Sequence, residues 1–263
     1  MNTNMTMEKA TTAKALRPLA LLATGMSGAD IERVVREVRA RCRRKATPLT
    51  WDLLEAALRR DDDDLSDAIR YRIAVHEIGH ALASELTGFG EVVSVRIHSL
   101  SGKIETRADR ELNQFREGVD ASLICILAGR AAEAVVFGDK ALGSGGGEGS
   151  DLALATRIEI DLETAFGVGG DLPLLYRPPS TTGDILHYNP ALAERVHGRL
   201  EQAEQRAEEL LRPYTDLIET LGRQLVAARV LEGATIRAAL TNVNALDSDG
   251  TSDGASPRGD GLR

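Results

Sequence analysis

The sequence predicts a mainly α-helical fold with one small β-hairpin, preceded by a small helical unit. Three observations point there. Apolar residues recur at three- and four-residue spacings behind helix-starting residues such as Ser27, Thr50 and Ser150. Pro190 and Pro213 each open a further stretch of this kind, and the first turn of a helix tolerates their missing N–H. One run is β-branched (Val92, Val93, Val95, Ile97), and Ser101-Gly102 after it reads as a tight turn into a second strand over Lys103–Arg107.

Residues 1–17 are polar and expected to be disordered. Residues 18–60 form the small helical unit. Ser27 caps a helix running to about Lys45, with Ile31, Val34, Val35 and Val38 as its apolar stripe. Thr50 caps a shorter one, with Leu53, Leu54, Ala57 and Leu58 facing inward. The arginines at 33, 36, 39, 41, 43 and 44 read as a solvated basic face, with a site for an acidic partner as the alternative.

Asp61–Asp64 form an acidic linker and helix start, suited to the positive end of a helix dipole. The larger domain, 65–240, opens with a helix over Asp67–Leu86 that Gly88 and Gly90 end. The hairpin follows, then a long helix over Gln114–Phe137. Its centre, Ala128-Gly129-Arg130-Ala131-Ala132, is small enough for close helix packing. No Gly-Lys-Ser/Thr follows the glycine-rich Gly143–Ser150, so this reads as a flexible connector and not a phosphate loop. Ser150 caps a helix to about Phe166. Residues 167–189, with Pro173, Pro178 and Pro179, read as a long surface loop. Helices over Pro190–Leu211 and Pro213–Arg229, a short last helix capped by Thr235, and a disordered tail over 247–263 complete the chain.

Composition narrows the function. Net charge is −8, so the chain as a whole has no electrostatic attraction for nucleic acid. At 3% aromatic it lacks platforms for stacking bases or sugars. Cys42 and Cys125 lie far apart, outside any Cys-x-x-Cys pair, which suggests a reducing compartment without a disulfide framework. No window approaches the roughly 18 apolar residues of a spanning helix. The expectation is a cytoplasmic protein with no membrane span of its own.

The chemistry lies in His76-Glu77-Ile78-Gly79-His80. On a helix, residues four apart project from one face, so both imidazoles can reach one zinc ion. Glu77 beside them can act as general base towards a metal-bound water. The pentapeptide arises by chance in about one chain in a hundred of this length, judging from ordinary residue usage. Its apolar flanks, Ile69, Ile73, Ala74, Ile78, Ala81 and Leu82, place the polar groups in a helix that looks buried, where they need partners.

A catalytic zinc keeps three protein ligands and one open position. The longer signature with a third histidine is absent, since Ala83 and Leu86 stand where its Gly and His would be. His98, His187 and His197 remain, and Asp151 and Glu133 are carboxylate candidates. Spacing and chemistry alone leave the choice between the two carboxylates open.

Three segments carry a family resemblance: Ala74–Ala81, Leu127-Ala128-Gly129-Arg130-Ala131-Ala132-Glu133 with Val136-Phe137-Gly138, and Ser150-Asp151-Leu152 with Ala155-Thr156. Together they resemble the FtsH-type AAA proteases, membrane-bound ATP-dependent zinc peptidases. Phe166-Gly167 and the helix Glu201–Leu211 fit the later course of that family. The resemblance implies a helical zinc-peptidase domain over 65–240. It implies His76, His80 and Asp151 as zinc ligands, Glu77 as general base and Glu133 as a residue orienting a ligand histidine or the metal face. It also implies polypeptide substrates that add as a strand to the hairpin edge, and a six-membered ring of subunits.

Gly25–Ile31 and Trp51–Leu58 make residues 18–60 similar to the helical lid of an AAA ATPase module. The sequence carries no Walker A loop and no transmembrane segment, and Ile78 replaces the small residue usual inside the zinc motif. On a helix Ile78 points away from the histidines and is expected to be tolerated. The expected activity is therefore a zinc endopeptidase acting on unfolded or flexible polypeptides without its own ATPase motor, or fed by a separate AAA ATPase. The alternative is a non-catalytic regulatory subunit of full-length FtsH-type rings.

Overall fold

The structure is a computed structural model, and it describes residues 16–23, 26–59, 66–98, 101–108, 115–169, 172–177 and 182–249. A helix over 16–22, α1, precedes α2 (Gly28–Lys45) and α3 (Trp51–Leu58). Ser27 caps α2 in a reciprocal box with Asp30, and Thr50 caps α3. Val34, Val38 and Cys42 of α2 pack against Leu54, Ala57 and Leu58 of α3.

The larger unit begins with α4 (Asp67–Thr87), capped by Ser66 and closed by Gly88 in the left-handed conformation. Next come β1 (Gly90–His98), β2 (Ser101–Ala108) and α5 (Arg116–Phe137), which Gly138 closes in the same way. A short 3₁₀ turn, Leu142–Ser144, leads to α6 (Asp151–Thr164). Then follow α7 (Thr182–Tyr188), α8 (Pro190–Leu211), a 3₁₀ turn at Arg212–Tyr214, α9 (Thr215–Ala228), β3 (Val230–Glu232) and α10 (Gly233–Asp249).

The main core gathers Val75, Ile78 and Leu82 of α4, Ala128, Ala131 and Ala132 of α5, and Ile218, Leu221 and Leu225 of α9. Ile78 is fully buried there, away from the histidines. Helices α4 and α5 pack backbone against backbone. A Cβ on Gly79 would fall 2.5 Å from the Ala128 carbonyl oxygen and from Ala132 Cβ, so only glycine fits. The sheet is antiparallel in the order β2-β1-β3, with β2 on its edge.

Several expectations need correction. Ser101 and Gly102 are not the turn: they already belong to β2, paired with His98 and Ile97. The residues 167–189 are not one long loop. Thr182–Tyr188 is helical because Ile185 and Leu186 pack on Ile160, Leu192 and Val196. The hairpin gains a third strand, β3, whose three residues are too short to leave a sequence pattern. The last helix starts at Gly233, before Thr235, and continues to Asp249, two residues beyond the start of the expected tail.

Residues 16 and 17 are helical, and Arg17 pairs with Glu232 of β3 at 2.8 Å. Leu53 is exposed on α3, whereas Leu54 and Leu58 turn inward. Residues 1–15, the acidic run Asp61–Asp64 and the tail from 250 onward lie outside the described residues. No described helix is long and apolar enough to cross a membrane.

Candidate metal centre

His76 and His80 project from one face of α4, one turn apart, over the glycine of α5. A Cβ on Gly129 would fall 2.5 Å from Nε2 of both rings, so this backbone position must carry no side chain. Ser150 caps α6 by accepting from Ala153 N, and so places Asp151 in its first turn, facing the same point.

The donor atoms converge. His76 Nε2 lies 3.1 Å from Asp151 Oδ2 and 3.1 Å from His80 Nε2, and His80 Nε2 lies 3.5 Å from Asp151 Oδ2. Among the described residues this trio is the one group of acidic, histidine or cysteine side chains whose donor atoms cluster closely enough for a metal. The opposite ring atoms are tethered. His76 Nδ1 donates to Glu133 Oε1 at 2.9 Å, and His80 Nδ1 donates to the Cys125 carbonyl at 2.7 Å. These tethers aim Nε2 of each ring at the centre, where its lone pair would serve a metal while Nδ1 kept its proton.

Glu133 is buried and fully occupied. Its Oε2 accepts from Ala141 N at 2.8 Å and lies 3.6 Å from Arg72 Nε, and Arg72 also pairs with Asp139 and lies over the Phe137 ring. The two candidate carboxylates thus sit on opposite sides of His76, Asp151 at Nε2 and Glu133 at Nδ1. His98 stands at the end of β1, while His187 and His197 are exposed on α7 and α8, outside the cluster.

The electrostatics follow from this packing. Burial opposes charge on His76, but its hydrogen bonds with Asp151 and Glu133 outweigh it and hold the imidazole up at about 9. Burial likewise works against ionised Asp151, and the two histidines outweigh it, keeping this carboxylate far below its usual range. Glu133 is also penalised by burial, yet His76 and the Ala141 N–H bring it below the ordinary value. Glu77, 7% exposed, goes the other way: burial raises it, and the nearby histidines offset this only in part.

A cavity of about 1000 Å³ opens over these groups, with Ile69, Ile73, Phe89 and Ile104 among its apolar walls. Two features of the site escape a reading of the sequence, and a third does not. The Cys125 contribution comes from its backbone and has no side-chain signature. Gly102 lies against Glu77 although it reads as a turn residue. Arg72 does leave a trace, being one helical turn before His76 on the same face.

A family model, Peptidase family M41, matches residues 64–239. The chain is 29% identical to an ATP-dependent zinc metalloprotease FtsH of Methylibium petroleiphilum, over 88% of this chain and 41% of that protein. It is 30% identical to an ATP-dependent zinc metalloprotease FtsH 2 of Sphaerobacter thermophilus, over 83% of this chain and 35% of the relative. It is 28% identical to an ATP-dependent zinc metalloprotease FtsH of Mycobacterium tuberculosis, over 86% and 32%. The chain thus spans about a third to two fifths of the length of these relatives. With residues 64–239, more than half of its length, matched by this model, the chain belongs to peptidase family M41.

Proposed function

We propose that this chain is a zinc-dependent endopeptidase that hydrolyses peptide bonds of unfolded or flexible polypeptides. The observation that carries this reading is the triangle of Nε2, Nε2 and Oδ2 atoms, with edges of 3.1, 3.1 and 3.5 Å, beside a buried glutamate. Ligand atoms about 2.0–2.1 Å from a tetrahedral zinc stand about 3.3 Å from one another, so the donor set fits by spacing and by chemistry. His76, His80 and Asp151 would hold the ion. Zinc there supplies a Lewis acid that polarises a peptide carbonyl and brings water's acidity near neutral pH.

The remaining roles fall to the chain itself. Glu77 takes a proton from the attacking water and returns it to the leaving amine. Its burial suits the task by making the carboxylate more basic. Glu133 and the Cys125 carbonyl orient the two imidazoles from behind. Edge strand β2 borders the cavity with unpaired backbone groups, along which an extended substrate can add as a further strand. A folded substrate has no such free strand, which sets the preference for flexible chains.

Nothing in this chemistry draws on nucleotide hydrolysis, so an already unfolded polypeptide is expected to be cut without ATP. Self-association enters the same reading through exposed apolar residues after α6: Phe166 is 69%, Leu174 96% and Tyr176 72% exposed.

The experiment is elemental analysis together with cleavage of an unfolded casein-like substrate, on wild type, Asp151→Ala and Glu77→Gln. The expected pattern is about one zinc per chain in wild type and in Glu77→Gln, loss of zinc in Asp151→Ala, and cleavage by wild type alone. A metal-free wild type that cuts nothing after zinc is supplied would sink the reading.

A further inference from the structure

A second cleft, of about 730 Å³, lies between α2 and the β1–β2 pair. One helical stripe of α2 lines it: Asp30, Arg33, Val34, Glu37, Val38 and Arg41. Opposite stand Arg96 of β1 and Lys103 of β2. Arg33 is neutralised within the stripe, 3.8 Å from Asp30 and 3.4 Å from Glu37. Arg41, Arg96 and Lys103 have no acidic partner among the described residues. Arg41 and Arg96 are nevertheless half-buried. A guanidinium partly withdrawn from water loses hydration, and an anion can restore the loss.

The register of the sheet gives an independent sign of the same imbalance. Arg96 and Lys103 are direct partners across the β1–β2 pair. Like charges in opposing cross-strand positions destabilise a sheet. Arg41 adds a third positive charge from across the cleft, in a chain whose net charge is −8. Among the described residues, three cations from three separate elements therefore face one cavity without an acidic partner.

We propose that this cleft binds an acidic polypeptide segment that also carries apolar side chains. The apolar strip Leu21, Leu22, Met26 and Leu58, each partly exposed, lines the same cleft. A small inorganic anion would satisfy the cations and leave this strip wet, whereas a segment mixing carboxylates and apolar side chains covers both. From Asp30 to Arg41 the stripe runs about 17 Å, enough for about five extended residues. The guanidinium forks of Arg41 and Arg96 match carboxylates. Ser101, Gly102 and Lys103 of β2 border both this cleft and the cavity over His76 and His80, whereas Arg41 and Arg96 line this cleft and not that cavity. The proposal therefore stands whether or not the chain is a zinc peptidase.

The experiment measures fluorescence anisotropy of a labelled peptide of alternating Glu and Leu. It uses the full chain carrying Glu77→Gln in chelator, so that the probe stays intact. The Glu/Leu peptide is expected to bind, and to bind at least about tenfold more weakly once salt reaches about 0.5 M. Arg41→Gln with Arg96→Gln should weaken it at least tenfold, a Lys/Leu peptide should not bind, and inorganic pyrophosphate should compete poorly. Unchanged affinity in the double variant, equal binding of the Lys/Leu peptide, or displacement by micromolar pyrophosphate each overturns the proposal. Thermal unfolding supplies a second readout. Arg96→Gln relieves the opposed charges and should raise the midpoint of the free protein, and a lowered midpoint would contradict the premise. Cleavage of an unfolded neutral substrate by the double variant, in an otherwise wild-type background, should match wild type.

Discussion

Gly102 on edge strand β2 meets the side chain of Glu77 on α4 with no room for a Cβ, since one placed there would overlap Glu77 Cγ, Cδ and Oε1. The edge strand thus acts as a wall that fixes where the proposed base stands. Gly102→Ala must displace either the carboxylate or the strand. A shift of about 1 Å in a reacting group can cost on the order of 100-fold in rate. The expected outcome is a 10- to 100-fold fall in kcat, by the same principle, with zinc content unchanged. Steady-state kinetics beside elemental analysis read both quantities. A kcat equal to wild type would remove Gly102 from the positioning of Glu77.

Glu133 should govern metal affinity without touching the metal. It fixes the His76 ring through Nδ1 while Asp151 stands at Nε2. Losing such a partner behind a ligand typically costs about 10- to 100-fold in affinity. Glu133→Gln is expected to show this weakening in a chelator competition, while retaining zinc at saturating concentration. Gly129→Ala pushes on both imidazoles at once and should bind zinc more weakly than Glu133→Gln in the same titration.

The helices were readable because their signals are local. Ser27, Thr50 and Ser150 announce helix starts, and His76 and His80 announce a shared face. The partners of that face were not local. Asp151 is 75 residues from His76 and Glu133 is 57 away, so the choice between them rests on how α5 and α6 pack, which spacing does not encode. Strand β3 exists because Val230–Glu232 pairs with β1, and α7 because Ile185 and Leu186 find an apolar surface. Such short elements are held by tertiary contacts and carry almost no pattern of their own. The Gly102–Glu77 contact was hidden for a related reason. Glycine before a strand-like run reads as a turn, and only the fold shows what it passes over.

The pairing of α6 with α8 should matter for stability. Glu159 and Glu163 of α6 are 1% and 3% exposed. Arg199 of α8 lies 3.1 Å from the first and 3.0 Å from the second, and Arg195 adds a contact to Glu163 at 3.3 Å. Removing Arg199 takes the ion-pair partner of Glu159 and one of the partners of Glu163, and breaking such a buried pair costs about 3–5 kcal/mol. Arg199→Ala is therefore expected to lower the urea midpoint clearly. Asp151 sits on the same helix, so zinc retention should fall with it. An Arg199→Ala protein as stable as wild type would mean that water or Arg195 compensates both glutamates.

Stability above neutral pH should depend on Cys125. Burial outweighs the hydrogen bond with Thr87 and pushes this thiol up to about 11. In the unfolded chain it ionises near 8.5. Below about pH 8.5 both states keep the proton, and the group adds no pH dependence. Between there and about 11 the unfolded state releases its proton while the folded state holds it, so rising pH favours unfolding. The loss approaches about 1.4 kcal/mol per pH unit. Urea midpoints at about pH 8 and about pH 10, measured for wild type and Cys125→Ala, isolate the effect from other groups. The variant starts lower, because a buried side chain has been cut back, but its midpoint should fall less between the two pH values. Parallel losses in the two proteins would show that the thiol ionises equally in both states, and that its burial does not hold the proton.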